Sequence, residues 1–191
     1  MATRCAGDTV PECADKNGAF AQFDGELAAK TLRWIRLLPE PEGISEYITN
    51  AVKKIPADVQ TVNEEQYADF LSDGLALGYL MGSLDTGMLI KLQLVNAWQK
   101  PTFEYLETVL QRKRVEIFLQ YARAMGVSDE ARFSVDQLCK KTNLLMVALC
   151  LCELGCIIER KGSFQGPESP EFAFRKTSFG SLVGFLQCQR E

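Results

Sequence analysis

Cysteine has the most reactive side chain in this sequence, and three cysteines lie close together. Cys150, Cys152 and Cys156 form a C-x-C-x3-C spacing within an apolar stretch. Thiolates at short spacing can hold zinc, but a helix would point these three side chains in different directions, and no fourth ligand lies nearby. The sequence favours three small buried apolar side chains instead. We therefore expect neither a metal nor another cofactor.

Histidine is absent from all 191 residues. Its absence excludes Ser-His-Asp and Cys-His nucleophile activation and histidine ligation of a metal. The adjacent carboxylates Glu64 and Glu65 lie in an acidic connection that implies no apolar pocket around them. There is also no glycine-rich loop followed by Lys-Ser or Lys-Thr for phosphate binding. The sequence predicts a protein that is not an enzyme.

Two serines lie in a short repeat near the C-terminus. The pentapeptide RKGSF at residues 160–164 recurs as RKTSF at residues 175–179. Arginine shortly before serine suits a basophilic protein kinase, and a phosphate there would offset the neighbouring positive charge. Ser163 and Ser178 are therefore candidate phosphorylation sites. The alternative is that both pentapeptides are solvated turns.

Charge is unevenly distributed along this chain, whose net charge is −4. Residues 1–65 contain 7 Lys/Arg against 11 Asp/Glu, residues 66–110 contain 2 against 5, and residues 111–191 contain 12 against 9. A basic C-terminal part on an acidic protein favours an acidic protein partner over nucleic acid. A solvated face is the alternative for each cation. The candidate contact residues are Arg112, Lys113, Arg114, Lys140, Lys141, Arg160, Lys161, Arg175 and Lys176.

The seven cysteines are odd in number and irregular in spacing, and the first 18 residues contain no apolar signal segment. This pattern predicts a reducing, cytoplasmic location. The apolar run at residues 144–152 is far shorter than the about 20 residues that cross a bilayer, so we expect no membrane span.

The stretch Leu138–Leu154 is expected to organise the rest of the chain. It is apolar nearly all round, which is typical of a helix that other helices surround. Thr142 or Asn143 is expected to cap its start, and Gly155 its end.

Helical periodicity elsewhere predicts an all-α fold with four main helices and two or three short ones. One helix begins at Asp24, carries Trp34 into the core and stops at Pro39. A short helix is predicted at 45–54 within a long acidic connection at 39–65, and a five-turn helix at 66–87 is ended by Gly87. After a connection at 88–102, a long helix is predicted at 103–125, with Phe103 and Leu106 leading into its buried face and Gly126 as its cap. A capping box at Ser134 opens a short helix. Gly74, Gly78 and Gly82 recur every fourth residue in the five-turn helix and predict close helix packing. We expect a disordered tail at 1–18, one domain at 19–157 and a flexible tail at 158–191.

In their order, these segments resemble a calponin homology domain of the calponin and transgelin type. The resemblance covers residues 19–156. It depends on FDGEL at 23–27 with Trp34-Ile35, on Asp73-Gly74, and on VEIFLQYARAMGV at 115–127 followed by FSVDQL at 133–138. The chain departs from the family in its longer connection at 39–65, in Glu116 where asparagine is common, and in lacking a recognisable calponin-type tail repeat, of which residues 179–187 are a faint echo.

The resemblance implies a helical bundle around a buried C-terminal helix, and a non-catalytic cytoskeletal module that binds F-actin or an actin-associated protein. Some calponin homology domains, such as those of microtubule end-binding proteins, bind tubulin. A microtubule or flagellar adaptor is therefore the alternative, and a signalling scaffold is a further one. We expect this protein to bind neither nucleic acid nor a membrane.

Overall fold

A computed structural model describes residues 22–161 of the chain. Helices make up 69% of these residues, and no β-strand occurs among them, which confirms the predicted all-α class. The tail predicted at 1–18 lies outside the described residues, as does most of the tail predicted at 158–191. The described part forms eight α-helices: α1 (Gly25–Leu37), α2 (Glu46–Lys53), α3 (Glu64–Leu71), α4 (Leu75–Leu84), α5 (Thr86–Leu94), α6 (Glu107–Met125), α7 (Val135–Cys139) and α8 (Leu144–Lys161). Single 3-10 turns occupy Asn96–Trp98 and Glu104–Leu106.

Helix α8 is buried along most of its length, as its apolar sequence predicts. The Asn143 side chain accepts a hydrogen bond from the Met146 amide at 3.2 Å, which confirms a cap at the start. The stretch Leu138–Leu154 is nevertheless not a single helix, and the helix does not end at Gly155. Leu138 belongs to the separate helix α7, which Lys141 terminates with a left-handed backbone (φ 55°). Gly155 lies inside α8, because burial of the residues that follow it outweighs the about 1 kcal/mol that glycine costs in a helix.

Helix α1 begins and ends where the sequence predicts. The Asp24 carboxylate accepts hydrogen bonds from the amides of Glu26 and Leu27, at 3.1 and 3.0 Å. The helix ends at Leu37, two residues before Pro39, and Trp34 is buried. Its inner face packs against α8.

The connection at 39–65 folds onto the helices around it. The predicted short helix is present as α2, and it packs against α4. Ile48, Val52 and Ile55 are all at most 2% exposed. The Val62 amide also donates to the Gly25 carbonyl at 3.2 Å, which ties the end of the connection to the start of α1.

The five-turn helix predicted at 66–87 was wrong, because two helices occupy this stretch. Gly74 has a left-handed backbone (φ 74°) that breaks α3 from α4, and the Asp73 carboxylate caps the new start by accepting from the Leu75 amide at 2.8 Å. Gly87 ends no helix. The Asp85 carboxylate accepts from the Gly87 amide at 2.7 Å and starts α5, so most of the connection predicted at 88–102 is helical.

Close packing at the glycines of α4 is confirmed. A Cβ placed on Gly78 would lie 2.3 Å from the Trp98 ring, so the indole edge occupies the space that a side chain would need. A Cβ on Gly82 would lie 3.0 Å from a methyl of Leu92. The 3-10 turn at Asn96–Trp98 and helix α5 therefore lie directly on α4.

The long helix predicted at 103–125 begins later, at Glu107, after a 3-10 turn. Phe103 and Leu106, expected on its buried face, are instead 55% and 37% exposed. Its predicted cap is confirmed, because Gly126 has a left-handed backbone (φ 102°). The capping box at Ser134 is also confirmed, with Gln137 as its second member.

Candidate partner-binding surface

The prediction that Arg114 contacts a partner was wrong, because its side chain is fully buried. Its Nε donates to the Ala97 carbonyl at 2.5 Å, and its Nη1 donates to the Asp73 carbonyl at 2.8 Å. Its two terminal nitrogens also contact both carboxylate oxygens of Glu107, at 2.5 and 3.3 Å. A partner cannot reach this guanidinium.

The burial of Arg114 has a physical reason in the chain path. A buried charge is tolerated only when it is paired and hydrogen-bonded. Here one guanidinium joins the α3–α4 junction, the 3-10 turn at Asn96–Trp98 and the first turn of α6. It also lies over the Tyr47 ring of α2, 5.7 Å from the centroid. Arg114 is therefore a structural residue that links four segments.

Arg112 and Lys140 are brought together by a shared carboxylate. Arg112 Nη1 lies 2.6 Å from Asp136 Oδ1, and Lys140 Nζ lies 2.9 Å from Asp136 Oδ2. Hydrogen bonds from Lys140 and then from Arg112 hold the pKa of Asp136 below its ordinary value, so it is ionised at neutral pH. All three side chains are exposed, so these contacts set the local charge more than the stability.

The neighbouring cations are paired as well. Lys113 Nζ lies 3.3 Å from Glu116 Oε2, and Lys141 Nζ lies 2.9 Å from Asp69 Oδ1. We call these four cations and their three carboxylates, Asp136, Glu116 and Asp69, the α6–α7 surface, and its net charge is +1. This surface is therefore less basic than its cations alone would make it.

Arg160 and Lys161 lie apart from this group. Lys161 Nζ donates to the Met125 carbonyl at 3.2 Å, which places it at the C-terminal end of α6. Arg112 lies 13 residues earlier on the same helix, about 20 Å away along its axis. The candidate cations therefore form two groups. Arg175, Lys176, Ser163 and Ser178 lie outside the described residues.

A cluster of exposed apolar side chains precedes the Arg112 group along the chain, and sequence reasoning missed it. Its members are Phe103, Tyr105, Leu106 and Val109, which are 55%, 73%, 37% and 64% exposed. The rings of Phe103 and Tyr105 stack with centroids 5.6 Å apart. A usable signal was present, because Tyr105 and Val109 are four residues apart and lead into the polar side of the helix.

These apolar residues continue into the cations on one helix surface. Residues three and four apart are neighbours on a helix, so Val109 lies beside Arg112 and Lys113 on α6. We call this surface the α6 outer face, and its members are Phe103, Tyr105, Leu106, Val109, Arg112 and Lys113. It combines exposed aromatic rings, aliphatic side chains and guanidinium and ammonium groups.

The cysteines of α8 are buried, which confirms their interpretation as small interior side chains. Burial raises the pKa of the Cys150 thiol to about 12, so this group stays protonated and unreactive at neutral pH. Within residues 22–161, no three Cys, Asp or Glu side chains are grouped so that they could hold a metal ion.

Comparison of the chain with protein-family models, with curated proteins and with solved structures gives no match. None of the helices between residues 22 and 161 is both long and apolar enough to cross a membrane.

Proposed function

We propose that this protein is a non-catalytic binding module of the calponin homology type and that its partner is F-actin or an actin-associated protein. The observation that carries the proposal is the α6 outer face, where exposed aromatic and aliphatic side chains lie next to cations. The calponin homology resemblance supplies the class of partner.

The composition of the α6 outer face supports an interface with a protein. Protein-binding surfaces are enriched in Tyr, Phe and Arg, and a few such residues supply most of the binding free energy. Tyr105 exposes 73% of its surface and Val109 64%, far more than the interior-facing residues of α6. Clustered apolar exposure of this kind marks an interaction site more often than an isolated exposed side chain does.

The residues that carry the resemblance hold defined structural positions, which also supports the proposal. Asp24 caps α1, and Trp34-Ile35 is buried beneath it. The Asp73-Gly74 pair forms the α3–α4 junction and binds Arg114 through the Asp73 carbonyl. The matched positions are thus those on which the bundle depends.

The charge of the surface predicts the character of binding. F-actin is acidic, and the α6–α7 surface has a small positive excess after pairing. We therefore expect apolar contact to provide most of the affinity, with a modest dependence on salt from the exposed cations.

The test is co-sedimentation of the full chain with F-actin and, in parallel, with microtubules at two salt concentrations. The Tyr105→Ser/Val109→Ser variant should bind F-actin at least about tenfold more weakly, because it removes the centre of the apolar contact. The matched control is Ile90→Ser/Leu94→Ser, which removes an equally exposed apolar pair from α5.

Each outcome is decisive for the proposed partner. Equal loss in the test and control variants would show that the α6 outer face is not the contact. Pelleting with microtubules alone would show that the partner is the microtubule and not F-actin. Pelleting with neither polymer would overturn filament binding.

Asp136→Asn should have the opposite effect. It removes the carboxylate that pairs with Arg112 and Lys140, so the surface gains one net positive charge. We expect severalfold tighter binding to F-actin at low salt and a steeper loss of affinity as salt rises. Asp58→Asn, on an exposed loop between α2 and α3, changes the total charge equally and should leave binding unchanged. Unaltered binding by Asp136→Asn would exclude these cations from the contact.

A further inference from the structure

A small cavity lies between α2, α5 and the 3-10 turn that contains Trp98. Its volume is about 190 Å³. Apolar side chains form most of its wall: Ile44, Ile48, Leu89, Leu92 and Trp98. The side-chain amide of Gln93, which also lines it, donates to the Gly43 carbonyl at 2.9 Å. Every residue that lines the cavity is uncharged.

The indole of Trp98 forms part of the wall of this cavity. Trp98 is 1% exposed, and the far edge of its six-membered ring is fixed against Gly78 of α4. A side chain inserted in the cavity would therefore meet an aromatic ring that is held in place, and aromatic rings pair favourably with one another.

The size of the cavity limits the occupant. Sites for cofactors and drug-sized ligands usually enclose about 300–1,000 Å³. A volume near 190 Å³ suits one large apolar side chain. The occupant is therefore a peptide segment that carries such a side chain.

The chain carries such a segment outside the described residues. Residues 177–189, TSFGSLVGFLQCQ, contain no charged side chain and include two phenylalanines. We propose that this C-terminal segment docks on the chain's own α2–α5 cavity, with Phe179 or Phe185 inserted.

The segment can reach the cavity. Helix α8 ends at Lys161, which contacts the C-terminal end of α6 at Met125. Arg114, 11 residues earlier on α6 and therefore about 16 Å away, is hydrogen-bonded to Ala97 beside Trp98. Residues 162–176 provide 15 connecting residues, whose greatest possible span is about 50 Å.

Charge supports this occupant over the other parts of the tail. Residues 158–176 contain charged side chains throughout, including the pairs at 160–161 and 175–176, and these would lose hydration against an uncharged cavity. The 177–189 segment can be buried there without that cost.

The test uses ¹H–¹⁵N NMR of the indole groups in the full chain. Phe179→Ser/Phe185→Ser should shift the Trp98 indole resonance, because the indole ring forms part of the cavity wall and would lose the phenyl ring packed against it. The matched control is Phe164→Ser/Phe172→Ser, which changes two phenylalanines outside the segment and should leave Trp98 unaltered. An unchanged Trp98 resonance in the test variant, or equal changes in both variants, would overturn the proposal. A Trp98 resonance that moves to the position of the test variant on dilution of the unmodified protein would also overturn the proposal, because the occupant would then come from a second copy.

A cavity-filling variant tests the same contact from the other side. Leu89→Phe, at a half-buried position, should fill the cavity and displace the segment. Chymotrypsin should then cut after Phe179 and Phe185 about tenfold faster than in the unmodified chain, while the rate of cleavage after Phe164 stays the same. Equal cleavage of the segment in both proteins would contradict docking at this site.

Discussion

Replacing Arg114 with methionine is expected to lower the free energy of unfolding by about 3–5 kcal/mol, a large part of the stability of a domain of this size. Methionine preserves much of the side-chain volume but removes every hydrogen bond of the guanidinium. The carbonyls of Asp73 and Ala97 then lose a buried donor, and the Glu107 carboxylate loses its cation. Urea denaturation followed by circular dichroism measures the change.

Arg112→Met is the matched control for this prediction. It removes an arginine two residues earlier on the same helix, where the side chain is exposed and pairs only with Asp136 at the surface. We expect little change in its unfolding midpoint. The Glu107→Gln/Arg114→Met double variant should be less destabilised than the sum of the single variants, because the carboxylate left behind is the costly group. Equal midpoints for Arg112→Met and Arg114→Met would contradict the structural role assigned to Arg114.

Gly78→Ala should also be strongly destabilising, although alanine is the better helix former. The added methyl would lie 2.3 Å from the buried Trp98 ring, so either the indole or helix α4 must move. Overpacking of this kind costs about 1–3 kcal/mol or more and exceeds the about 1 kcal/mol that alanine gains over glycine in a helix. Thermal unfolding of the variant measures the difference.

Gly82→Ala, one turn later in α4, is the control. Its nearest neighbour would be a single Leu92 methyl at 3.0 Å, with the next atoms at 3.6 Å or beyond, and a leucine methyl can shift. The gain in helix propensity should offset that contact, so we expect nearly unchanged stability. If Gly78→Ala were as stable as Gly82→Ala, the close approach of Trp98 to α4 would be disproved.

Local sequence signals predicted local structure well. Asp24, Asn143, Gly126 and the Ser134 capping box all act at the helix ends where they were expected. Each of these signals depends on a side chain and the backbone groups within a few residues of it. Such short-range hydrogen bonds can be predicted from sequence because they do not depend on how the chain packs.

Signals that depend on distant parts of the chain were misread. Gly74 matched a helical spacing with Gly78 and Gly82, but only the packing around Arg114 shows why the chain turns there. Gly155 was expected to end α8, yet the helix continues to Lys161 because residues after Gly155 are buried in the core. Arg114 was grouped with exposed cations because sequence does not show which side of α6 meets the 3-10 turn at Asn96–Trp98.

Only part of the candidate surface could be predicted, because its charge and exposure also depend on how the helices pack. Arg112 and Lys140 were named from sequence, and the structure brings them together on Asp136. Two of the pairings join different helices, Arg112 with Asp136 and Lys141 with Asp69, so sequence alone did not show that these cations are partly neutralised. Phe103 and Leu106 were assigned to the interior because apolar spacing alone does not distinguish a core-facing stripe from a partner-facing one.

The pairing of α1 with α8 has a consequence for how the protein acquires its fold. It joins a helix that ends at Leu37 to one that begins at Leu144, and closing a loop of that length costs about 4 kcal/mol of chain entropy before any contact forms. During synthesis α1 is made more than a hundred residues before α8, so the part of α1 that packs on α8 stays uncovered in the interval. A ribosome that stalls before residue 144 would release a chain in which this apolar part of α1 is exposed.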